Sequence, residues 1–429
     1  MTFKPNYIPK ERKKVNYKIV VPFIVLMIIV ANFLVDRYLA TKKEEGNKSY
    51  AICQLSSYES IKLIDSNDYT STMNLSDYGL YGESLGLYHE PFTVHSNDTF
   101  SGKTVFLKNL CKDTEDAYMM DVDLDRKLPI FELDNGFYEI EVLDGLDRYY
   151  LTSENVIQDV FYSVPYNGHH KKVKILADKD MFYDKDGEKV LKDNIVYFEV
   201  SEEKVDEKTV DIVLDPNRLT ELWEGYVDYG STRGDVNEAN EMFEMAQMIK
   251  KELEQHGLEV LLTRDLKEPV DYNNYGGRLE KAYQSKAKYF VSLAFPDSNF
   301  AHDKGVTVMY SSHSSNYMAT TVMKTLQEQT SIQASSWTGR NDIQGVYPST
   351  LEENLDRRLE IRETGGRFTG AGIISENPFV TNYQNGMQAI VIEYGYMSND
   401  HDFNTWQNEK EKIAKATADG ILKTLKIIK

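Results

Sequence analysis

Glu393 is the residue whose setting most needs a chemical explanation. It sits in IVIEYG (Ile390–Gly395), a carboxylate inside an apolar strand-like run. Such an acid either pairs with a cation or keeps a raised pKa and does proton-transfer chemistry. Polar groups also appear where other apolar runs give out, at Asp215–Arg218, Arg264–Asp265 and Ala294–Asp297. Other clusters say less. His169-His170-Lys171-Lys172 follows the turn pair Asn167-Gly168 and reads as a solvated hairpin before a metal or anion site. The acidic stretch Asp113–Asp125 lacks the Asp-x-Asp-x-Asp-Gly spacing of a calcium loop. Cys53 and Cys111 make one disulfide or two buried thiols, and two cysteines do not make a cysteine zinc cluster.

The elements that must position these groups begin at Thr209. TVDIVLDP (Thr209–Pro216), LEVLLTRD (Leu258–Asp265), AKYFVSLAF (Ala287–Phe295), GVTVMYSS (Gly305–Ser312) and AIVIEYGYMSND (Ala389–Asp400) read as strands. Between them, Glu238–His256 has a helical apolar stripe of Met242, Met245, Ala246, Ile249 and Leu253, stopped by Gly257. Further helices are expected around Gly277–Lys286, over Ser315–Gln329 and at the end over Glu409–Lys426. Strands apolar on both faces are covered on both faces. Residues 209–429 are therefore expected to form an α/β domain, a twisted, largely parallel sheet with helices on each side. Ligands gather at the carboxyl ends of such strands, where Asp215–Arg218, Arg264–Asp265, Ala294–Asp297 and Glu393 fall.

These segments, with the Arg278-containing stretch GGRLEKAYQSKAKYFVSL, resemble in order and spacing the zinc-dependent N-acetylmuramoyl-L-alanine amidases of bacterial cell walls. The resemblance covers about Val210 to Leu425. AIVIEYGYMSND is similar to the family's Val-Glu-Leu-Gly-Phe-x-Ser-Asn segment, which carries its catalytic glutamate; Glu393 takes that position, followed by Gly395, Ser398 and Asn399. The zinc ligands depart from the pattern. The family's first zinc histidine lies in Asp-Pro-Gly-His-Gly-Gly, whereas this chain reads Asp215-Pro216-Asn217-Arg218-Leu219-Thr220. The second lies in Ser-Ile-His-Ala-Asn, matched here by Ser292-Leu293-Ala294-Phe295-Pro296. Glu238 matches the third ligand, a glutamate opening the helix after the first strand. The resemblance thus implies an amidase-like fold with one of three zinc ligands, no metal expected, and Arg218, Glu238 and Arg278 as binding residues. Without the ion, Glu238 and Glu393 are like charges, and an Arg218–Glu238–Glu393 cluster is expected to neutralise them. A site rebuilt from other histidines (His256, His302, His313 or His401, of which His302 is the best placed) would instead make an active amidase. Glu393 would then be general base, Glu238 a zinc ligand and Arg218 an oxyanion stabiliser.

Ahead of this domain, residues 49–204 carry short alternating runs such as GKTVFLKNL, GFYEIEVLDG and KKVKILAD, separated by turn pairs. An all-β sandwich of roughly immunoglobulin type is expected, followed by the linker SEEKVDEK (Ser201–Lys208). Ile19–Val35 is a 17-residue run without a charge, preceded by six cations and one acid. Residues 19–38 are therefore expected to be a transmembrane helix, with the basic arm 1–18 in the cytoplasm, a linker at 39–48 and the rest extracytoplasmic. A cleaved signal peptide fits less well, since YLATKKEE is a poor cleavage site. Within the α/β domain, Thr330–Gln388 is an insertion. Its Leu351, Leu355 and Leu359 at helical spacing would pack on the domain, dock a partner or plug the cleft, and Trp337, Tyr347 and Phe379 are candidates for stacking on sugar rings.

The formal net charge of −19 over 429 residues excludes a nucleic-acid binder. The expected protein is a membrane-anchored cell-wall pseudoamidase. It would bind peptidoglycan, or scaffold or activate another wall hydrolase or envelope protein. The alternatives are an active peptidoglycan amidase with zinc and a purely structural envelope assembly protein.

Overall fold

The computed structural model describes residues 71–89, 100, 102–120, 127–177, 194–204, 209–223, 225–300, 303–311, 314–336, 343–349, 358–369 and 385–429. The expected transmembrane helix at 19–38, its flanking segments, Cys53, His302, His313, Trp337 and Phe379 lie outside these residues. Among the described residues no helix is long and apolar enough to cross a membrane.

The first part is all β. Its strands are β1 (Thr72–Asn74), β2 (Asp77–Tyr81), β3 (Ser84–Tyr88), β4 (Thr104–Asn109), β5 (Thr114–Met119), β6 (Lys127–Pro129), β7 (Gly136–Asp144), β8 (Asp147–Thr152), β9 (Ile157–Tyr162), β10 (His169–Ala177) and β11 (Tyr197–Lys204). β2, β3 and β6 form a three-stranded antiparallel sheet, and the other eight strands form a second sheet. The partition departs from an immunoglobulin-type sandwich of two comparable sheets. Nine-residue β7 is long enough to pair with three neighbours, β4, β8 and β11, and β1 runs parallel to β8. One apolar core joins both sheets through Leu80, Leu87, Leu107, Ile140, Ile175 and Phe198. Cys111 carries no free thiol.

The α/β part follows as β12 (Ile212–Pro216), the hairpin β13 (Thr220–Trp223) and β14 (Tyr226–Asp228), the ribbon β15 (Thr232–Arg233) and β16 (Val236–Asn237), then α1 (Glu238–Gln255), β17 (Val260–Leu262), α2 (Arg278–Gln284), β18 (Tyr289–Ala294), β19 (Thr307–Tyr310), α3 (Tyr317–Gln329), β20 (Val346–Pro348), α4 (Leu359–Thr364), β21 (Gln388–Glu393) and α5 (Asp400–Thr424). The six-stranded sheet has the order β17-β12-β18-β21-β19-β20. β17, β12, β18 and β21 are parallel, while β19 runs antiparallel to β21 and parallel to β20.

Alternation along the strands divides the core. Ile212, Leu214, Val291, Leu293, Ile390 and Ile392 point toward α1, α3 and α5. Val213, Phe290, Ala389 and Val391 point toward α2 and α4. α5 starts at Asp400, nine residues before the helix expected from periodicity. The Asn399 side chain accepts from the amides of His401 and Asp402, and Glu409, at φ −128°, marks a kink joining two helical segments. The apolar pattern had revealed only the second of them.

The two parts meet through backbone. The Gly82 amide donates to Gly386 O at 2.9 Å, the Gly386 amide to Leu80 O at 2.8 Å, and the Leu80 amide to Asn385 Oδ1 at 2.8 Å. Tyr81 pairs in parallel with Gly386, just ahead of β21. Glu83 is buried at this junction, accepting from the Val164 amide at 2.7 Å and from the Tyr289 hydroxyl at 2.6 Å. Phe368 packs against Tyr81 and Tyr88 with ring centroids 5.6 and 6.3 Å away.

Candidate functional site

β12 ends at Asp215-Pro216, and the chain doubles back through Asn217, Arg218 and Leu219. Arg218 and Leu219 take φ of 68° and 60°. For side chains with a Cβ this left-handed region costs on the order of 1–2 kcal/mol per residue, so the surroundings must impose it. Arg264 does much of this. Its Nε donates to Pro216 O at 2.8 Å, and its Nη2 to Asn217 O at 2.6 Å and Ala239 O at 2.9 Å. Burial pushes this guanidinium down to about 10, so it stays charged at neutral pH. Arg278 lies beneath the same loop and donates to Asp215 Oδ1 at 3.1 Å and Pro216 O at 3.3 Å. Its side chain is 5% exposed. It therefore supports the site from below and is not a cation offered to a ligand, as a binding residue would be.

Arg218 meets the first acid. Its Nε donates to Glu238 Oε2 at 3.1 Å and its Nη1 to Asp228 Oδ2, on the β14 strand, at 3.2 Å. Glu238 opens α1 with no exposed side-chain area. Its Oε2 also accepts from the Ser231 amide at 3.2 Å and its Oε1 from the Phe295 amide at 3.0 Å. Gly230, at φ 73°, closes over this pair. A Cβ there would stand 2.4 Å from Glu238 Oε2 and 2.5 Å from Arg218 Cγ, so the packing leaves no room for a side chain.

Glu393 ends β21, directly beside Ala294 of β18 and Thr307 of β19. Its cation is not Arg218. Arg358, just ahead of α4, places Nη1 3.1 Å from Glu393 Oε1 and Nε 3.0 Å from Glu360 Oε2, while the Thr307 hydroxyl donates to Glu393 Oε2 at 3.1 Å. The expected three-residue cluster is thus two pairs. Arg218 is already engaged by Glu238 and Asp228, and the insertion supplies a second guanidinium for Glu393. Burial holds the Glu393 carboxyl above the usual range, against the opposing pull of Arg358 and the Thr307 hydrogen bond. The charges of Glu360 and Glu238 add to that rise. Tyr347 of β20, half-buried, has its hydroxyl pushed up by burial and by the Glu393 charge. It borders the site. Asp228, Glu360 and Arg358 escaped sequence reasoning. In the sequence, Gly225 between the aromatic residues Trp223 and Tyr226 was a readable signal for the hairpin bearing Asp228.

A zinc ion does not fit these residues. Zinc takes lone pairs from three protein ligands and keeps a place for water. The Arg218 guanidinium has only donors, the Ala294 methyl has neither donor nor acceptor, and Glu238 is already held by two amides and a guanidinium. Among the described residues no group of three His, Cys, Asp or Glu side chains converges for a metal.

Residues 212–423 match the family model described as N-acetylmuramoyl-L-alanine amidase. The α/β domain belongs to this amidase family. The amidase AmiC2 of Nostoc punctiforme is 23% identical, over 51% of this chain and 97% of that one, with a TM-score of 0.37. The catalytic domain of the amidase CwlV from Bacillus (Paenibacillus) polymyxa var. colistinus is 21% identical, over 51% and 99%, with a TM-score of 0.36. The CwlD amidase of Clostridioides difficile, solved in complex with the GerS lipoprotein, is 18% identical over 51% and 100%, with a TM-score of 0.35. No curated protein matches the chain. Glu238, Glu393, Arg218 and Ala294 all fall inside the matched range.

Proposed function

We propose that this chain is a membrane-anchored, extracytoplasmic wall protein whose amidase-family domain binds peptidoglycan without cleaving it, and so scaffolds or activates another hydrolase. One observation carries the reading: each retained acid is met by its own arginine, Arg218 on Glu238 and Arg358 on Glu393, where the family's chemistry needs a Lewis acid. Zinc would lower the pKa of a bound water to about 7 and polarise the amide carbonyl; a guanidinium supplies charge and hydrogen bonds but no coordination. With both carboxylates neutralised in place, the strand ends would recognise a ligand without reacting with it. The charge-free run Ile19–Val35 behind a basic arm supports anchoring with the folded parts outside.

The test uses the full-length chain in detergent. Metal analysis is expected to find zinc far below one per chain, sacculi are expected to co-sediment with the protein, and incubation with muropeptides is expected to release no peptide. Stoichiometric zinc, with peptide release abolished by Glu393→Gln, overturns the reading. In the reverse experiment, Arg218→His combined with Ala294→His is expected to raise zinc affinity.

A further inference from the structure

The hairpin that supplies Asp228 carries a surface the paired charges leave without a role. Trp223 and Tyr226 face each other beside its turn, ring centroids 4.5 Å apart and planes 9° from parallel. They are 64% and 51% exposed, and Leu222 beside them is exposed as well. Neither ring belongs to a core cluster of the domain, so packing does not account for them. The pair is held ready: Gly225 turns at φ 77° and donates its amide to Glu221 Oε1 at 3.2 Å. Register then says where it points. Trp223 pairs with Tyr226 and Thr220 with Asp228, and residues two apart on a strand share a face. Tyr226 and Asp228 therefore lie on one face of the ribbon, and Asp228 reaches Arg218 from that face. The aromatic pair stands on the site's side, roughly 7 Å along the strand from Asp228.

We propose that Trp223 and Tyr226 form a stacking platform that seats a sugar ring of a glycan strand beside the Arg218–Glu238 pair. The proposal rests on the peptidoglycan reading above and assigns its glycan contact. A pyranose presents an apolar C–H face, slightly positive at its hydrogens, to the negative face of an aromatic ring, while its rim of hydroxyls needs acceptors. Glu221 lies on the hairpin beside the rings and provides one through the oxygen that the Gly225 amide leaves free. The same carboxylate repels phosphate, which favours a neutral polyhydroxylated ligand over an anionic lipid surface.

The experiment measures binding of the full-length chain to glycan strands stripped of their peptide stems, with intact sacculi and phosphatidylglycerol vesicles as parallel arms. The parent is expected to bind stripped strands. Trp223→Ala and Tyr226→Ala should each weaken that binding about tenfold, as truncation of an aromatic anchor does. Tyr226→Phe, which keeps the ring, should stay within about threefold of the parent. Unchanged melting temperatures will show that the variants fold, as expected for exposed rings. Equal binding of stripped strands by parent and alanine variants overturns the platform while sacculus binding still upholds the wider reading. Binding of sacculi but not of stripped strands does the same. A variant that loses vesicle binding alone reassigns the rings to lipid and overturns the proposal. A parent that binds neither strands nor sacculi removes both readings.

Discussion

Glu238 carries a carboxylate with no exposed area, and its ionisation depends on the groups around it. Two backbone amides and the Arg218 guanidinium supply that support. Arg218→Ala removes the one cation bonded to it among the described residues. Breaking a buried pair from one side costs about 3–5 kcal/mol, and the 39% exposure of the arginine side chain lowers the expectation to about 2 kcal/mol, read as a shift in denaturant midpoint. A second buried acid sets a pH dependence. Burial raises Asp211 from 3.8 to about 7, against a hydrogen bond from the Glu259 amide and with the nearby Glu83 charge adding to the rise. Because the folded value lies above the unfolded one, this contribution is fully present below about 4 and is lost as pH rises through about 7. The melting temperature is therefore expected to fall between pH 5 and pH 8.5. Asp211→Asn is expected to recover about 2–4 kcal/mol at the upper end and nothing at the lower. At this scale the sequence exposed Arg218, Glu238, Ala294 and Glu393, because each sits at a recognisable place relative to a strand or helix end. Arg358 was hidden: Arg357-Arg358 is a common surface dipeptide, and its guanidinium meets Glu393 only through a contact far apart in sequence.

The elements of the α/β domain were legible because their periods are strong and their strands uniformly apolar. The hairpin and ribbon at residues 220–237 were not read. Their strands are two to four residues long, too short for any period to show, and tertiary contacts with Arg218 and α1 hold them. The early turns of α5 were missed for a different reason: His401, Asn404 and Gln407 interrupt the stripe that buried Trp406 belongs to. Packing at this level makes its own prediction. α5 passes α3 so closely at Gly420 that an added Cβ would stand 2.7 Å from Val322 Cα, a backbone atom that cannot turn aside. Gly420→Ala gains about 1 kcal/mol of helix propensity and loses about 1–3 kcal/mol to the clash, so net destabilisation of about 1 kcal/mol is expected in thermal unfolding.

Across the whole molecule, the β part and the amidase-family part share buried polar structure as well as apolar contacts. Glu83 accepts from both sides of the junction, from Val164 in one part and Tyr289 in the other. Glu83→Ala takes the acceptor from both donors and is expected to cost about 2–4 kcal/mol. Its signature is a split of one unfolding transition into two, seen by calorimetry; a single transition at unchanged temperature refutes that coupling. Composition and turn signals disclosed an all-β region but not its strand partition, since which neighbours a nine-residue strand accepts is decided by contacts far apart in sequence.

The parallel bridge between Tyr81 and Gly386 has a practical corollary for anyone cutting this chain at the boundaries of its family match. A fragment beginning near residue 212 would lose the Leu80 carbonyl that receives the Gly386 amide, the Leu80 amide bound to Asn385, and the tyrosines that shelter Phe368. Such a fragment would present a raw edge at the foot of its own central strand, an invitation to self-association. Low solubility of that fragment would then report on the cut surface and not on the paired charges at the strand's other end.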